Sequence, residues 1–282
     1  MAVLMKGSEV VNAMKERMLK DVEELGNRGI TPGLAIMRVG ARPDDLSYER
    51  GAIKRCEGLG IRCRVYEYPE SISQQALIEE IKKVNDDGTI HGILLFRPLP
   101  KHIDESIVKY AISPEKDADC LSPVNVAKVF EGDETGFAPC TPEAVVEMLD
   151  HYGINVAGKK VTIIGRSLVV GKPLSMLLLK KHATVTICHT RTKNLEETCR
   201  EAEILIAAAG KARMVTDAFV SEGQVVVDVG INVDENGNLC GDVDFQKAEP
   251  LAGLITPVPG GVGTVTTSVL AKHVILAAKR GL

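Results

Sequence analysis

The sequence predicts an α/β fold of two domains, each a parallel sheet covered by helices. Three observations predict it. Short apolar runs suited to buried strands alternate with longer stretches whose apolar residues recur at helical spacing. The alternation breaks near residue 140, at APCTPEAVVEMLDHYG, and restarts after Gly158. The chain has 282 residues, enough for two domains at roughly 150 residues each.

Taken in order, Ser8 can cap a helix over 9–28, with Val11, Met14, Met18, Val22 and Leu25 on one face. GLAIMRVG (33–40) reads as a buried strand. The helix that follows contains LSYERGAIKRC (46–56) and is closed by Gly58 and Gly60. IRCRVYEY (61–68) alternates like a half-buried strand, Ser73 caps QQALIEEIKKVNDD, and IHGILLF (90–96) is a further apolar strand. A helix begins at about Pro142, where proline suits the first turn. Beyond Gly158, KKVTIIG (159–165), ATVTICH (183–189), EILIAAAG (203–210) and QVVVDVG (224–230) read as strands. RSLVVGKPLSMLLLKKH and NLEETCREA supply helices between them, and a glycine-rich loop leads into a long apolar helix. The expected domains are 1–140 and 141–265, with the helix at about 266–282 packing back onto the first.

Hydrophobic residues make up 45% and charged residues 26%, the balance of a soluble globular protein. A net charge of −4 argues against general attraction to nucleic acid or anionic membrane. No apolar run approaches the roughly 20 residues that span a bilayer. The opening MAVLMKG is too short for a signal peptide. The seven cysteines are odd in number and include no CxxC pair, which favours reduced thiols and a cytoplasmic location. The six histidines are scattered without HExxH, so no protein-bound metal is expected.

VTIIGRSLVVGKP joins a strand, a turn and a helix start. Gly165 and Gly171 permit tight backbone, and free N–H groups at the helix start attract phosphate. Ser167 stands where the second glycine of GxGxxG would be, so the stretch also suits an ordinary βα turn. The next strand ends in CHTRTK (188–193), with no acid to grip ribose hydroxyls. Thr190, Arg191 and Lys193, with Arg166, suit a 2′-phosphate, so the expected cofactor is NADP rather than NAD. For Lys193 a merely solvated basic position remains open.

TPVPGGVGTVT (256–266) pairs two stiffening prolines with three glycines that let a flat ligand approach the backbone. With GRSLVVGKP, PCTP (139–142), VVVDVGIN (225–232) and GDVDF (241–245), the chain resembles the methylenetetrahydrofolate dehydrogenase/methenyltetrahydrofolate cyclohydrolase family, the FolD type. The resemblance covers nearly the whole chain. It implies a homodimeric enzyme of one-carbon metabolism, each subunit with two α/β domains around a cleft. The second domain is Rossmann-like and carries NADP, and the tetrahydrofolate derivative lies between the two. By position, Gly165, Arg166, Ser167, Thr190 and Ile231 match the dinucleotide contacts. Tyr48 matches the tyrosine that stacks on folate, Asp119 the aspartate that hydrogen-bonds the pterin, and Pro259, Gly260 and Gly261 the loop beside the substrate.

The chain departs from the family at four places. Ala52 stands where the family has a lysine four residues after the tyrosine. Phe96 replaces the glutamine of V-Q-L, Cys120 the glycine of D-V-D-G, and Gly263-Thr264-Val265 stands for G-P-M. In the family the lysine assists proton transfer as water attacks the methenyl carbon, and the glutamine tunes that lysine. Neighbours are poor substitutes. On a helix, position i+4 lies roughly 40° from Tyr48 but i+6 roughly 120° away on the other side, which turns Lys54 elsewhere. Arg97 should face the opposite side of its strand from Phe96, and Arg50 and Arg55 are expected to be solvated. The sequence therefore favours an NADP-dependent methylenetetrahydrofolate dehydrogenase with weak or lost cyclohydrolase activity. The alternatives are a fully bifunctional enzyme and a non-catalytic folate- or nucleotide-binding protein.

Overall fold

The computed structural model describes residues 2–281, so the first residue and Leu282, the last of the expected final helix, lie outside the described residues. The chain begins with β1 (Val3–Leu4), α1 (Gly7–Asn27), β2 (Gly33–Val39), α2 (Pro43–Glu57) and β3 (Arg62–Tyr68). It continues through α3 (Gln74–Asp86), β4 (Gly92–Leu95), α4 (Glu105–Val108), α5 (Pro123–Glu131) and α6 (Cys140–His151). Then follow β5 (Lys160–Ile164), α7 (Gly171–Lys180), β6 (Thr184–Cys188), α8 (Leu195–Arg200), β7 (Ile204–Ala207) and β8 (Val225–Asp228). The last elements are β9 (Asn232–Val233), β10 (Leu239–Cys240), α9 (Phe245–Ala248), β11 (Leu254–Ile255) and α10 (Val262–Arg280). Contacts divide the chain into two units, Ala13–Cys140 with Thr267–Leu282, and Met1–Asn12 with Thr141–Thr266.

The unit built on 13–140 holds a parallel three-stranded sheet in the order β3-β2-β4. The central strand β2 is buried along its whole length, which is why it reads as a near-continuous apolar run. At the edge, β3 alternates in exposure and carries Arg62, Arg64 and Glu67, charges that blunt an open sheet edge. Met37, Leu77, Ile81, Ile93, Val108 and Ile112 belong to one core cluster between sheet and helices. Ser73 caps α3 by accepting the Ala76 N–H at 3.2 Å. Past β4 the chain returns alongside it. Ile93 N–H donates to Lys116 O at 2.6 Å and Ala118 N–H to Ile93 O at 3.2 Å, fixing the loop that carries Asp119. Lys279 of α10 bonds Asp21 at 2.6 Å and Glu24 at 2.9 Å on α1.

The unit built on 141–266 holds a parallel six-stranded sheet in the order β1-β11-β8-β7-β5-β6. Its strands β7 and β8 are almost wholly buried, and Leu205, Val215, Val226 and Ile255 share its core. A two-residue antiparallel ladder, β9 with β10, projects from the segment after β8.

Residues 1–12 were expected with the first domain, but those described, 2–12, group with the six-stranded unit. Val3 N–H donates to Gly253 O and Met5 N–H to Ile255 O, each at 2.8 Å. A two-residue strand has no periodicity to read. α1 starts at Gly7, so Ser8, expected as its cap, lies inside the first turn. α10 starts at Val262, four residues before the expected position. Its first turn absorbs Gly263, a tolerable place for glycine because the N–H groups there have no intrahelical partner.

Candidate functional site

Tyr48 stands on α2, whose start is chemically over-determined. Pro43 occupies the first turn, and Asp44 and Asp45 put negative charge at the positive end of the helix. Arg42 grips Asp45 with two bonds of 2.8 Å and donates from Nη2 to Arg97 O at 2.7 Å, tying the helix to the segment after β4. One turn on, Glu49 accepts from buried Arg38 at 3.0 Å. The same guanidinium reaches Gly40 O at 2.7 Å and Glu67 at 2.8 Å. β2, α2 and β3 are thereby joined through one cation, and the half-buried Tyr48 lies beside the pinned Glu49.

Phe96 leaves β4 with its N–H bonded to Met37 O at 3.0 Å. Its ring meets the Tyr48 ring edge-on, with centroids 5.9 Å apart and planes at 87°. Ala52 is 0% exposed, whereas Lys54 is exposed, so the two lie on different faces of α2. Arg50 is exposed, as expected, but Arg55 is half-buried and its Nε is buried without a hydrogen-bond partner. The charge of Arg97 bears on Cys120, where it opposes the burial that pushes that thiol well above the ordinary range.

Asp119 lies on the loop that runs back along β4. One carboxylate oxygen accepts the Cys140 N–H at 2.9 Å. The loop is shaped by Asp117, which accepts from Leu121 N and Ser122 N at 2.8 Å and from Asn125 Nδ2 at 3.0 Å. Burial raises the Asp117 pKa, against these bonds. Cys120, at the family's glycine position, keeps a left-handed backbone with φ 57°. Behind the loop, the buried ring of His273 on α10 brings Nδ1 within 2.8 Å of Ala118 O.

In the six-stranded unit, Gly165 follows β5 with φ 129°, and a Cβ there would strike the Ala208 carbonyl. A Cβ on Gly171 would likewise run into Gly165 O, so glycine at both positions lets the start of α7 close on the strand end. Ser167 Oγ accepts the Val170 N–H at 3.0 Å and stabilises the turn. Arg166, Ser167, Thr190, Arg191 and Lys193 are all exposed. The loop after β6 is folded by His189 N–H donating to Thr192 Oγ1 at 2.8 Å and by Arg191 N–H donating to His189 Nδ1 at 3.2 Å. The glycine turn and these cations fit a dinucleotide with an extra phosphate, since nothing acidic ends β6.

Ile231, Pro259, Gly260 and Gly261, foreseen for different ligands, line one cavity of about 200 Å³ together with Gly230, Leu239 and Gly263. Sequence reasoning missed the framework around both regions: Arg38, Arg42, Glu49, Asp117, Asp228 and Asp242. For Arg38 and Asp228 a signal existed, a lone charge inside an otherwise apolar strand.

Residues 5–119 match the family model described as tetrahydrofolate dehydrogenase/cyclohydrolase, catalytic domain, and residues 139–282 its NAD(P)-binding domain. The bifunctional protein FolD of Clostridioides difficile (strain 630) is 59% identical over 276 residues, 98% of this chain and 96% of that protein. The crystal structure of the bifunctional FolD of Campylobacter jejuni superposes with a TM-score of 0.97 at 39% identity, covering 100% of both chains. The Trypanosoma brucei FolD, solved with NADP cofactor and inhibitor, gives 0.93 at 37% identity, covering 99% of this chain and 98% of that one. With both family models matched in order and identity of this degree along nearly its whole length, the chain belongs to the tetrahydrofolate dehydrogenase/cyclohydrolase family.

Proposed function

We propose that the protein is an NADP-dependent 5,10-methylenetetrahydrofolate dehydrogenase in which hydrolysis of the methenyl product to 10-formyltetrahydrofolate is weak or lost. The observation that carries this reading is the fully buried methyl of Ala52, one turn from Tyr48, with Phe96 packed against the Tyr48 ring. These are the positions of the family's lysine and glutamine. Neither residue present can move a proton. Lys54 lies on another face of α2, and an arginine stays charged and makes a poor shuttle. General acid–base help contributes on the order of 10²–10⁴-fold, so its loss would leave little hydrolase activity.

Oxidation has different needs. The nicotinamide, when bound, supplies the hydride acceptor, and the folate's own nitrogens stabilise the cation left at the methylene carbon. The protein has to bind and orient. In this reading Tyr48 stacks on the folate and Asp119 hydrogen-bonds the pterin. Gly165 and Ser167 take the pyrophosphate side, and Arg166, Thr190 and Arg191 the 2′-phosphate. Ile231 touches the dinucleotide and Pro259, Gly260 and Gly261 flank the substrate, and because these residues line one cavity, the part of the dinucleotide that Ile231 meets is its reacting nicotinamide end. The fit of exposed cations after β6 and the NADP held by the Trypanosoma brucei relative support the choice of cofactor. A cytoplasmic homodimer belongs to the same reading.

Full bifunctionality is the second reading, favoured by the name of the 59% identical Clostridioides difficile relative. One experiment separates the two. The purified protein is given 5,10-methylenetetrahydrofolate and NADP while NADPH and methenyl product are followed together. In parallel the decay of methenyltetrahydrofolate is compared with a buffer blank. NADPH formation with accumulating methenyl product and a blank-like decay is the expected result. Enzyme-accelerated decay would establish the bifunctional reading instead.

A further inference from the structure

Two carboxylates in the six-stranded unit are buried more completely than any role so far given to them requires. Asp242 is 0% exposed and Asp228 3%. N–H groups satisfy them. Asp242 Oδ2 accepts from Ala209 N at 2.6 Å and Gly210 N at 2.9 Å, and its Oδ1 from Lys211 N at 2.8 Å and Asn232 Nδ2 at 2.9 Å. Asp228 Oδ1 accepts from Gly230 N at 2.9 Å and Asp242 N at 3.0 Å, and its Oδ2 from Val243 N at 2.9 Å. The Asp228 N–H in turn donates to Thr256 Oγ1 at 2.7 Å, at the head of the Pro259–Gly261 loop. Three separate stretches of chain, 209–211, 230–232 and 242–243, therefore converge on two side chains, and the Asp228 main chain ties in a fourth at Thr256.

What they hold is one wall of the cavity of about 200 Å³. Gly230 and Ile231 form that wall between the two anchored positions, Asp228 and Asn232. The Ile231 side chain is 66% exposed, and its Cδ1 lies 3.2 Å from where a Cβ on Gly263 would stand, across the cavity mouth. Its position depends on the backbone that carries it, and that backbone is fixed by the two acids.

We propose that Asp242, backed by Asp228, is a positioning residue for hydride transfer, setting the wall against which the nicotinamide ring stops. This rests on the dehydrogenase reading above. A carboxylate is required because it is acceptor-only and can meet four N–H groups. An asparagine turns its own NH₂ toward two of them. Gly165 and Arg166 follow β5, and although Gly165 packs against the Ala208 carbonyl, that strand end is held by sheet bonds that involve neither acid, Gly165 N–H to Cys188 O at 2.9 Å and Ala208 N–H to Ile164 O at 2.8 Å. Loosening the wall therefore leaves NADP affinity nearly intact and disturbs the reacting geometry, where a 1 Å error lowers rate by about 10²-fold.

The test uses Asp242→Asn and the milder Asn232→Ala, which removes one donor and keeps the carboxylate. Amide hydrogen exchange at 209–211 and 230–232 is measured with and without NADP. NADP Kd by calorimetry, the melting temperature, and kcat with protiated and methylene-deuterated substrate complete the set. For Asp242→Asn, exchange should rise at both segments and NADP Kd stay within about threefold. Its kcat should fall at least tenfold, with a larger isotope effect. Asn232→Ala should follow with an effect of about threefold on kcat, and it decides the matter if Asp242→Asn does not fold. A folded variant whose kcat holds within about twofold, or whose NADP affinity falls in step with kcat, overturns the proposal. A wild-type protein without hydride transfer would overturn the dehydrogenase reading. Unchanged exchange at 209–211 and 230–232 would overturn the positioning role whatever the activity.

Discussion

The Phe96 ring stands edge-on to the Tyr48 ring, 5.9 Å between centroids, and Ala52, one turn along α2 from Tyr48, is completely enclosed. The first prediction follows from that pair. Ala52→Lys alone places an ammonium at a fully buried position with no partner supplied for it, so it should destabilise the fold and restore little hydrolysis. Ala52→Lys with Phe96→Gln gives the ammonium an amide partner. Methenyltetrahydrofolate hydrolysis should then rise by about 10²-fold or more over the parent, read as loss of methenyl absorbance.

Arg38 and Glu49 make a buried ion pair, with side chains 9% and 11% exposed. Arg38→Leu leaves the Glu49 carboxylate without its main partner and should lower stability by about 3–5 kcal/mol. Arg38→Leu with Glu49→Leu should lower it less, because no charge is then stranded. Urea unfolding of the three proteins checks the order.

Arg191 should govern nucleotide choice. If Arg191 pairs with the 2′-phosphate as proposed, Arg191→Asp removes a charge-assisted bond and adds repulsion. A bond to a charged group contributes about 1.5–3 kcal/mol, so NADP affinity should drop by roughly 10–100-fold while NAD affinity holds or improves. Titration with both nucleotides measures it.

Asp228 should make stability depend on pH in an unusual direction. Burial, with the Asp242 charge adding to it, raises its pKa from 3.8 to about 6 despite three N–H bonds. The folded state therefore holds this proton more tightly than the unfolded chain. Its contribution is complete below about pH 4 and is lost as pH rises through about 6. Relative to Asp228→Asn, the wild type should lose stability between those two values. Parallel denaturation curves across the window show whether the difference has that sign.

Most of the long elements were legible because burial writes a pattern, though α5, nine residues capped by Ser122, was not read. β2, β5, β7 and β8 are enclosed by neighbouring strands and helices and read as apolar runs, and Ser73 announces α3. The short ones were not. β1 and β11 have two residues each, and α4 and α9 have four each, below any period a pattern can reveal. Tyr48, Asp119 and the glycine turns were assigned to the candidate site through family motifs. The acids and arginines that hold them in place were not, since their partners are backbone groups or residues distant in sequence. Asp242 is the clearest case, because three of its four bonds go to main-chain N–H groups at 209–211.

The pairing of Val3 with Leu254 and of Leu4 with Ile255 has a consequence in time. During synthesis the first strand leaves the ribosome about 250 residues before its partner exists. Residues 13–140 can assemble their three-stranded sheet while the opening segment still waits. The six-stranded sheet gains its last edge only when the chain around 255 arrives, so it closes late, by a contact of high sequence separation. Nascent chains stalled before residue 250 should carry a Val3–Leu4 segment still open to a protease, and chains stalled well beyond it should not.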